Sequence, residues 1–559
     1  MKKDLVSALD SRELIELRTI GEWLDLNLTG EQKRDCVRLL SQQMFQLDMK
    51  LELKLLPPEE AAALTELINA KGRMPVATFE RLHGIVRQMG PGKMEREEPW
   101  LDPVSPAEAL WYKGFIYRGF EEIKEDQIDE AYYLPEEFYA QIPPIGDAGK
   151  SSIQVLEPLE ESTIREHEMM DALVDMVDDM TTMISFAQIK PLHQDKLNLF
   201  DSFLLQSNPQ RLDLLFTLAW EMGLFRATDA GAKPARKSVE WLKRGREQQL
   251  RELADSWREC SWNELHNTPS LQCEGSGWIN DPVAARNAII ASLPDTLHWY
   301  DTGSFITFIK ENNPDFQRPG GNYNTWYIRE RESGEYLRGF ESWDDVEGRL
   351  LRFVITGPLY WLGLLRLRKN DGSTKVFFQL TSRGLNWLKG KPVIRDEITV
   401  PIVVGNDATL FVPTNANQYH RFQIARVADL VRAEPNKPYE YWLTPKSLET
   451  AQEQGIEPSR LLEFLRDASG RPIPAGTKRA IERWVEQGFE ARIERAVILK
   501  VRDETILEKL RENPKTRPFI AETLGDLSAV IKPGDWQKFR QAAAGLGLLV
   551  DYSIEVDQG

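Results

Sequence analysis

Four stretches spaced along the 559 residues repeat one plan: an apolar helix that ends near a glycine, then large apolar residues that open a strand. They are "AEALWYKGFIYRGF" (107–120), "LDLLFTLAWEMGLFRATDAG" (212–231), "LLRFVITGPLYWLGLLRLRK" (350–369) and "FRQAAAGLGLLVDYSIEV" (539–556). Gly114, Gly223, Gly363 and Gly547 fall where a helix gives way to the next segment. The backbone there needs positive φ, which glycine adopts without strain. In the third copy "GLLRLRKNDGSTKVFFQLT" reads as a β-hairpin turning at Asn370-Asp371-Gly372, because Asp-Gly suits a tight turn. Helices followed by a hairpin make the winged-helix arrangement. Domains of that shape bind nucleic acid or pack against other proteins, so the fold leaves the function open.

The plan predicts an α+β chain, predominantly helical and multidomain, with room for about three to five cores. Residues 1–58 read as a helical segment, 59–145 as a winged-helix-like unit, and 146–195 as an acidic linker with a long amphipathic helix. A winged-helix-like unit with a basic stretch follows at 196–290, then an aromatic and glycine-rich loop with a further winged-helix-like unit at 291–396. A domain of different texture fills 397–559. The long helix is expected over 164–190, "IREHEMMDALVDMVDDMTTMISFAQIK", with Met169, Met176, Met180 and Met183 facing the core rather than a partner groove. Asp175, Asp178 and Asp179 on it read as a solvated acidic face rather than a cation site.

The net charge of −17 is localised. Between Glu121 and Asp179 eighteen acids face only Lys124, Lys150 and Arg165, so the remaining 500 residues are nearly neutral and can carry basic patches. The acidic segment reads as a linker or partner surface that avoids nucleic acid. No apolar run approaches the roughly 18 residues of a membrane span, and no apolar stretch follows the two lysines at the start. Three cysteines, Cys36, Cys260 and Cys273, cannot form a disulfide framework. The expected location is the cytoplasm, with no membrane.

"GDAGKSS" (146–152) ends like a phosphate-binding loop, but that loop needs a glycine five positions before its Gly-Lys, and Pro144 stands there. Proline supplies neither positive φ nor an N–H. The flanking "LPEEFYAQIPP" and "SSIQVLEPLEES" offer neither the buried strand nor the helix that the loop requires. The stretch reads as an exposed linker. Cys260, His266 and Cys273 lack the close cysteine pairs of a structural zinc site, and the six histidines form no local pair, so neither metal nor cofactor is expected.

Two regions carry binding chemistry. The loop "NNPDFQRPGGNYNTWYIRERESGEYLRGFESWDD" (312–345) sets aromatics among arginines, which suits stacking on unpaired bases and equally suits a core. Core is the favoured reading, with Arg318, Tyr323 and Trp326 the residues to watch. The stretch "RATDAGAKPARKSVEWLKRGREQQLR" (226–251) carries eight cations against three acids, a net of +5. Following a helix, Lys233, Arg236 and Lys237 are expected in the wing, with Lys243, Arg244 and Arg246 beyond it, where cations meet phosphates. A second cluster is Lys478, Arg479 and Arg483 on an expected helix near the end of the chain.

From Glu397 the run "EITVPIVVGNDATLFVPTNANQYHRFQIARVADL" leads to "YWLTPKSLETAQEQGIEPSRLLEFL", "IPAGTKRAIERWVEQG" and "AVILKVRDETILEKL". Together they resemble the domain at the N-terminus of XPB/Ssl-type DNA helicases, which some bacterial helicase-associated proteins carry alone. The resemblance spans about 160 residues and consists of apolar and turn patterns, not catalytic signatures. The middle stretches "SPAEALWYKGFIYRGF", "NDPVAARNAII" and "DFQRPGGNYNTWYI" are similar to those of bacterial relatives and bring no function with them. What the resemblance implies is a non-enzymatic, DNA-associated accessory in transcription, repair or defence, without the helicase motor. The alternative is a protein-interaction scaffold of winged-helix domains that binds no nucleic acid. Candidate partners are DNA and a protein such as a separate helicase or a nucleoid component.

The proline at position 144 generates a first prediction. The purified protein is expected to show no ATP turnover; turnover that Lys150→Ala abolishes would overturn the linker reading.

Overall fold

The computed structural model describes residues 4–124, 127–142, 155–171, 174–200, 203–276, 278–318, 320–370, 375–393, 398–488, 490–491, 496–532 and 534–551. The "GDAGKSS" stretch, the turn residues Asp371 and Gly372, and residues 552–556 of the last strand expected after Gly547 lie outside them; the described residues 548–551 form no strand. The chain is a mixed α and β, predominantly helical, multidomain structure with small sheets. It divides into two compact units, Met1–Thr477 and Lys478–Gly559. Every strand pairing among the described residues is antiparallel. No helix among them is long and apolar enough to cross a membrane.

In the first unit the helix–glycine–strand plan recurs three times. Helix Pro106–Tyr112 ends at Gly114 (φ +76°) and feeds the first hairpin, Tyr117–Lys124 with Gln127–Tyr133. Strand Arg73–Pro75 joins the far side of Gln127–Tyr133. Helix Pro209–Glu221 ends at Gly223 (φ +67°) before the second hairpin, Phe225–Thr228 with Gly231–Pro234. The short helices Arg349–Thr356 and Pro358–Trp361 end at Gly363 (φ +68°) before the third hairpin, Leu365–Lys369 with Val376–Leu380. Local chemistry fixes these elements: Asn208 caps helix Pro209–Glu221 by accepting from the Arg211 N–H, and Pro209 fills its first position, where no N–H is needed.

Two large apolar cores stand out among the described residues of the first unit, beside a small cluster of Ile164, Trp299 and Phe377. One draws on residues between Leu5 and Ile142, the other on residues between Met176 and Phe422. A four-stranded sheet ordered Val403–Val404, Thr409–Val412, Tyr439–Trp442, Asp429–Arg432 follows, with helices Gln418–Ala425, Pro445–Glu453 and Pro458–Ser469. Helix Ala475–Gln487 runs across the boundary between the units. The second unit holds a three-stranded sheet, Val497–Lys500, Ser528–Ile531, Ile520–Thr523, with helices Glu504–Glu512 and Trp536–Ala544 around an apolar core of its own.

The helix expected over 164–190 is shorter, Asp175–Ile189. Upstream of it, Glu168–Met170 is a strand paired with Leu365–Lys369. A sheet edge left open there would expose unpaired N–H and C=O groups, and the strand covers it. Met169 therefore lies on that strand and is exposed, while Met176, Met180 and Met183 are fully buried in the core. The acids depart further from expectation. Asp178 and Asp179 are buried, not solvated, because three arginines reach them from other segments. Pairing offsets the desolvation that otherwise keeps such groups at the surface.

Close approach also shapes the third hairpin. A Cβ on Gly384 would stand 2.1 Å from the Leu364 carbonyl oxygen, which accepts from Thr381 N–H at 3.0 Å. Gly384→Ala is expected to lower stability by about 1–3 kcal/mol through overpacking. A urea midpoint equal to that of the wild type would refute this close packing.

Candidate nucleic-acid interface

The basic stretch divides by burial. Arg226 and Lys233 are directly opposite each other across the second hairpin, Arg226 exposed and Lys233 half-buried. Arg236 and Lys237, expected in the wing, instead begin helix Arg236–Leu242, because the hairpin ends at Pro234. Arg236 is 96% exposed, with only a loose 3.9 Å approach to Glu240. Lys237 lies over the turn glycine, where a Cβ on Gly223 would meet its Cδ at 3.7 Å. Lys243 is exposed and holds its ammonium 4.9 Å from the Tyr419 ring centroid.

Three cations remain: Arg244 and Arg251 are paired but still partly or fully exposed, and only Arg246 is committed inside the protein. Arg244 pairs with Glu252. Arg246 donates to both oxygens of Asp178, at 2.5 and 2.9 Å, and also to the Thr414 carbonyl. Its side chain is largely buried, so it is spent on the fold.

That pairing belongs to a cluster absent from the sequence reading. Asp179 holds the fully buried Arg211, and its carboxylate also accepts from Leu205 N–H at 2.8 Å. Asp178 further takes Gln418 Nε2 at 3.2 Å and Arg421, which donates to the Asp178 backbone carbonyl at 2.9 Å. Arg421 lies 3.8 Å from the Tyr439 ring centroid. Helices Asp175–Ile189 and Gln418–Ala425 are thereby joined through charge. A run of acids spaced three and one apart looks the same whether it faces water or arginines, so only the partners distinguish the two.

Helix Pro209–Glu221, which would present side chains to base edges if it entered a groove, is packed inward. Arg211, Leu212, Leu214, Leu215, Phe216, Leu218 and Ala219 are all buried. The helices before the first and third hairpins are buried in the same way. Exposed cations therefore sit on the hairpin and beyond it, not on the preceding helix.

The aromatic loop is divided, with Phe316, Arg318, Tyr323, Trp326 and Trp343 buried and Tyr327 and Tyr336 exposed. Arg318 is buried, donates to Glu347 at 2.7 Å, and stacks 4.1 Å from the Trp326 centroid and 4.8 Å from that of Tyr323. Tyr323 and Trp326 are both buried. Cys273 is pushed up to about 11 by burial, so its thiol stays protonated and is a poor metal ligand or nucleophile at neutral pH. Partial burial holds His266 and His420 below the ordinary histidine range. Among the described residues no group of three His, Cys, Asp or Glu side chains is placed to hold a metal ion.

In the second unit, Lys478 approaches Glu482 at 3.7 Å, and Arg483 donates to Glu490 at 2.7 Å. The Arg483 hydrogen bond holds the Glu490 carboxyl below the usual carboxylate range. Arg479 is exposed on the same helix.

Residues 402–524 match a family model described as a helicase conserved C-terminal domain. The C-terminal region is helicase-related. The match takes in the four-stranded sheet, the helices through Ala475–Gln487, and the second unit up to strand Ile520–Thr523. Arg421 and Gln418, which reach the buried acids, lie within it. A comparison with curated proteins finds no match to the chain.

Arg246→Ala leaves Asp178 buried with one partner fewer, and is expected to cost about 3–5 kcal/mol of stability. Arg236→Ala is expected to leave the unfolding midpoint in place. Equal midpoints for the two variants in urea would contradict the division of these cations.

Proposed function

We propose that this chain is a non-enzymatic accessory protein that associates with DNA through the phosphate backbone. In this reading the helix–glycine–hairpin units are winged helices, and the helicase-related region is of the XPB N-terminal kind. The observation that carries it is the contrast at the second hairpin. Arg226, Lys233, Arg236 and Lys237 are accessible on or beside the hairpin, while helix Pro209–Glu221 is buried. Cations without an exposed reading helix give affinity without base-specific geometry. The antiparallel pairing throughout the described strands supports an accessory role, since phosphate-cradling motors set their loop between a strand and a helix of a parallel sheet.

The same burial favours one second reading, a scaffold whose winged helices bind only protein. All three helices that precede hairpins in the first unit spend their apolar faces on the core. Salt dependence separates the readings. Each phosphate neutralised on duplex DNA contributes about −0.9 to the slope of log K against log salt. Changing Lys233, Arg236 and Lys237 together to Ala is expected to flatten that slope by roughly 2 to 3 units between about 50 and 200 mM salt. Wild-type protein that fails to bind duplex or single strands at the low end would favour the scaffold. Binding with a slope untouched by the triple change would move the contact elsewhere, first to Lys478, Arg479 and Arg483.

A further inference from the structure

The N-terminal part of the first unit and the part that follows it keep separate apolar cores. Among the described residues, no partly buried apolar side chain packs against both. Three hydrogen bonds that cross between them meet on one carboxylate. Asp315, in the loop after helix Thr302–Asn312, accepts from Arg81 Nη1 at 2.8 Å, from Arg81 Nη2 at 2.9 Å and from Thr78 Oγ1 at 3.1 Å. Tyr323 Oη adds a fourth bond from the loop's own side at 2.7 Å. Thr78 and Arg81 both lie on helix Val76–His83 of the N-terminal part. The Arg81 guanidinium also stacks 4.6 Å from the Phe340 ring centroid.

Gly320 and Gly321 make this approach possible. A Cβ on Gly321 would stand 2.1 Å from Thr78 Oγ1, and one on Gly320 would stand 2.3 Å from Asp129. Gly321 also has φ +63°. The glycine pair in "RPGGNY" thus lets the loop backbone lie against the N-terminal part.

The opposite joint is built differently. Phe422 of helix Gln418–Ala425 belongs to the middle core, Tyr419 packs against it, and Arg421 is fully buried beside Asp178. That joint has an apolar seal; the one at Asp315 is a partly exposed ion pair, at 15% and 18% side-chain exposure. Parts of a chain move relative to one another unless a large apolar interface holds them.

We propose that Asp315 is a polar latch, and that residues 4–142 dock on the loop around it and release from it as one body. Release uncovers Arg81, Tyr323 and Phe340, which the latch now occupies. The helicase-related residues 402–477 stay fixed on the middle core throughout.

The test is a distance measurement between spin labels at Leu55→Cys and Glu332→Cys, both exposed, in the full chain with Cys273→Ser. Cys36 and Cys260 are buried and stay unlabelled. Wild-type contacts are expected to give one narrow distance distribution, and Asp315→Ala a broad one that extends to longer distances. The exchange Arg81→Asp with Asp315→Arg is expected to return the narrow distribution. If Asp315→Ala proves too unstable, Arg81→Gln breaks the bidentate pair from the other side. A latch variant, folded by circular dichroism, that keeps the wild-type width would overturn the proposal. So would a wild-type distribution already as broad as that of the variants.

Discussion

The structure depends on one buried exchange of charge. Asp178 and Asp179, adjacent on helix Asp175–Ile189, take Arg211, Arg246 and Arg421 from three other helices. Each of these ions would be costly to bury alone, and removing one partner strands another in a medium that solvates it poorly. The cluster therefore ties together segments far apart in the chain, including the helicase-related region through Arg421. It also explains why the net charge misleads. Part of the acidic segment lies inside the molecule, matched by cations that composition would assign to the surface.

The same accounting narrows the search for a ligand surface. Eight cations between Arg226 and Arg251 look like one patch in the sequence, yet Arg246 is spent on buried Asp178, and Arg244 and Arg251 pair with Glu252 and Asp255. What remains lies on the second hairpin, at the start of the helix after it and, with Lys243, at that helix's end. The helix before that hairpin is committed to the core, so a phosphate backbone is a better chemical match than base edges. The helicase-related region adds an apolar and ionic anchor through Phe422 and Arg421.

The two joints of the first unit show how apolar burial and polar pairing divide the work. Where Phe422 enters the middle core, arginine pairing adds register to a seal already made. Where the N-terminal part meets the Asp315 loop, pairing stands without a shared apolar core. Water reaches the second joint and screens it. The aromatics and glycines of residues 312–345 serve both ends of this arrangement: Arg318 and Trp326 fill the core, and Gly320, Gly321 and Asp315 receive the neighbouring helix.

Local chemistry was legible in the sequence. Gly114, Gly223, Gly363 and Gly547 all adopt positive φ, and Pro445, Pro458 and Gly455 mark helix ends in the helicase-related region. These signals act within a few residues, so spacing alone reveals them. The core place of Met176, Met180 and Met183 was legible for the same reason, from helical period. Long-range partners were not. Nothing near Glu168–Met170 announces that a strand 195 or more residues later needs its edge covered, and the segment takes the strand that the sheet imposes. Asp178 reads as solvated until Arg421, 243 residues away, is placed beside it. The sequence by itself determined where the chain turns and which faces are apolar. Only the tertiary structure decided which charges meet, because a charge is buried or exposed according to partners that sequence separation does not specify.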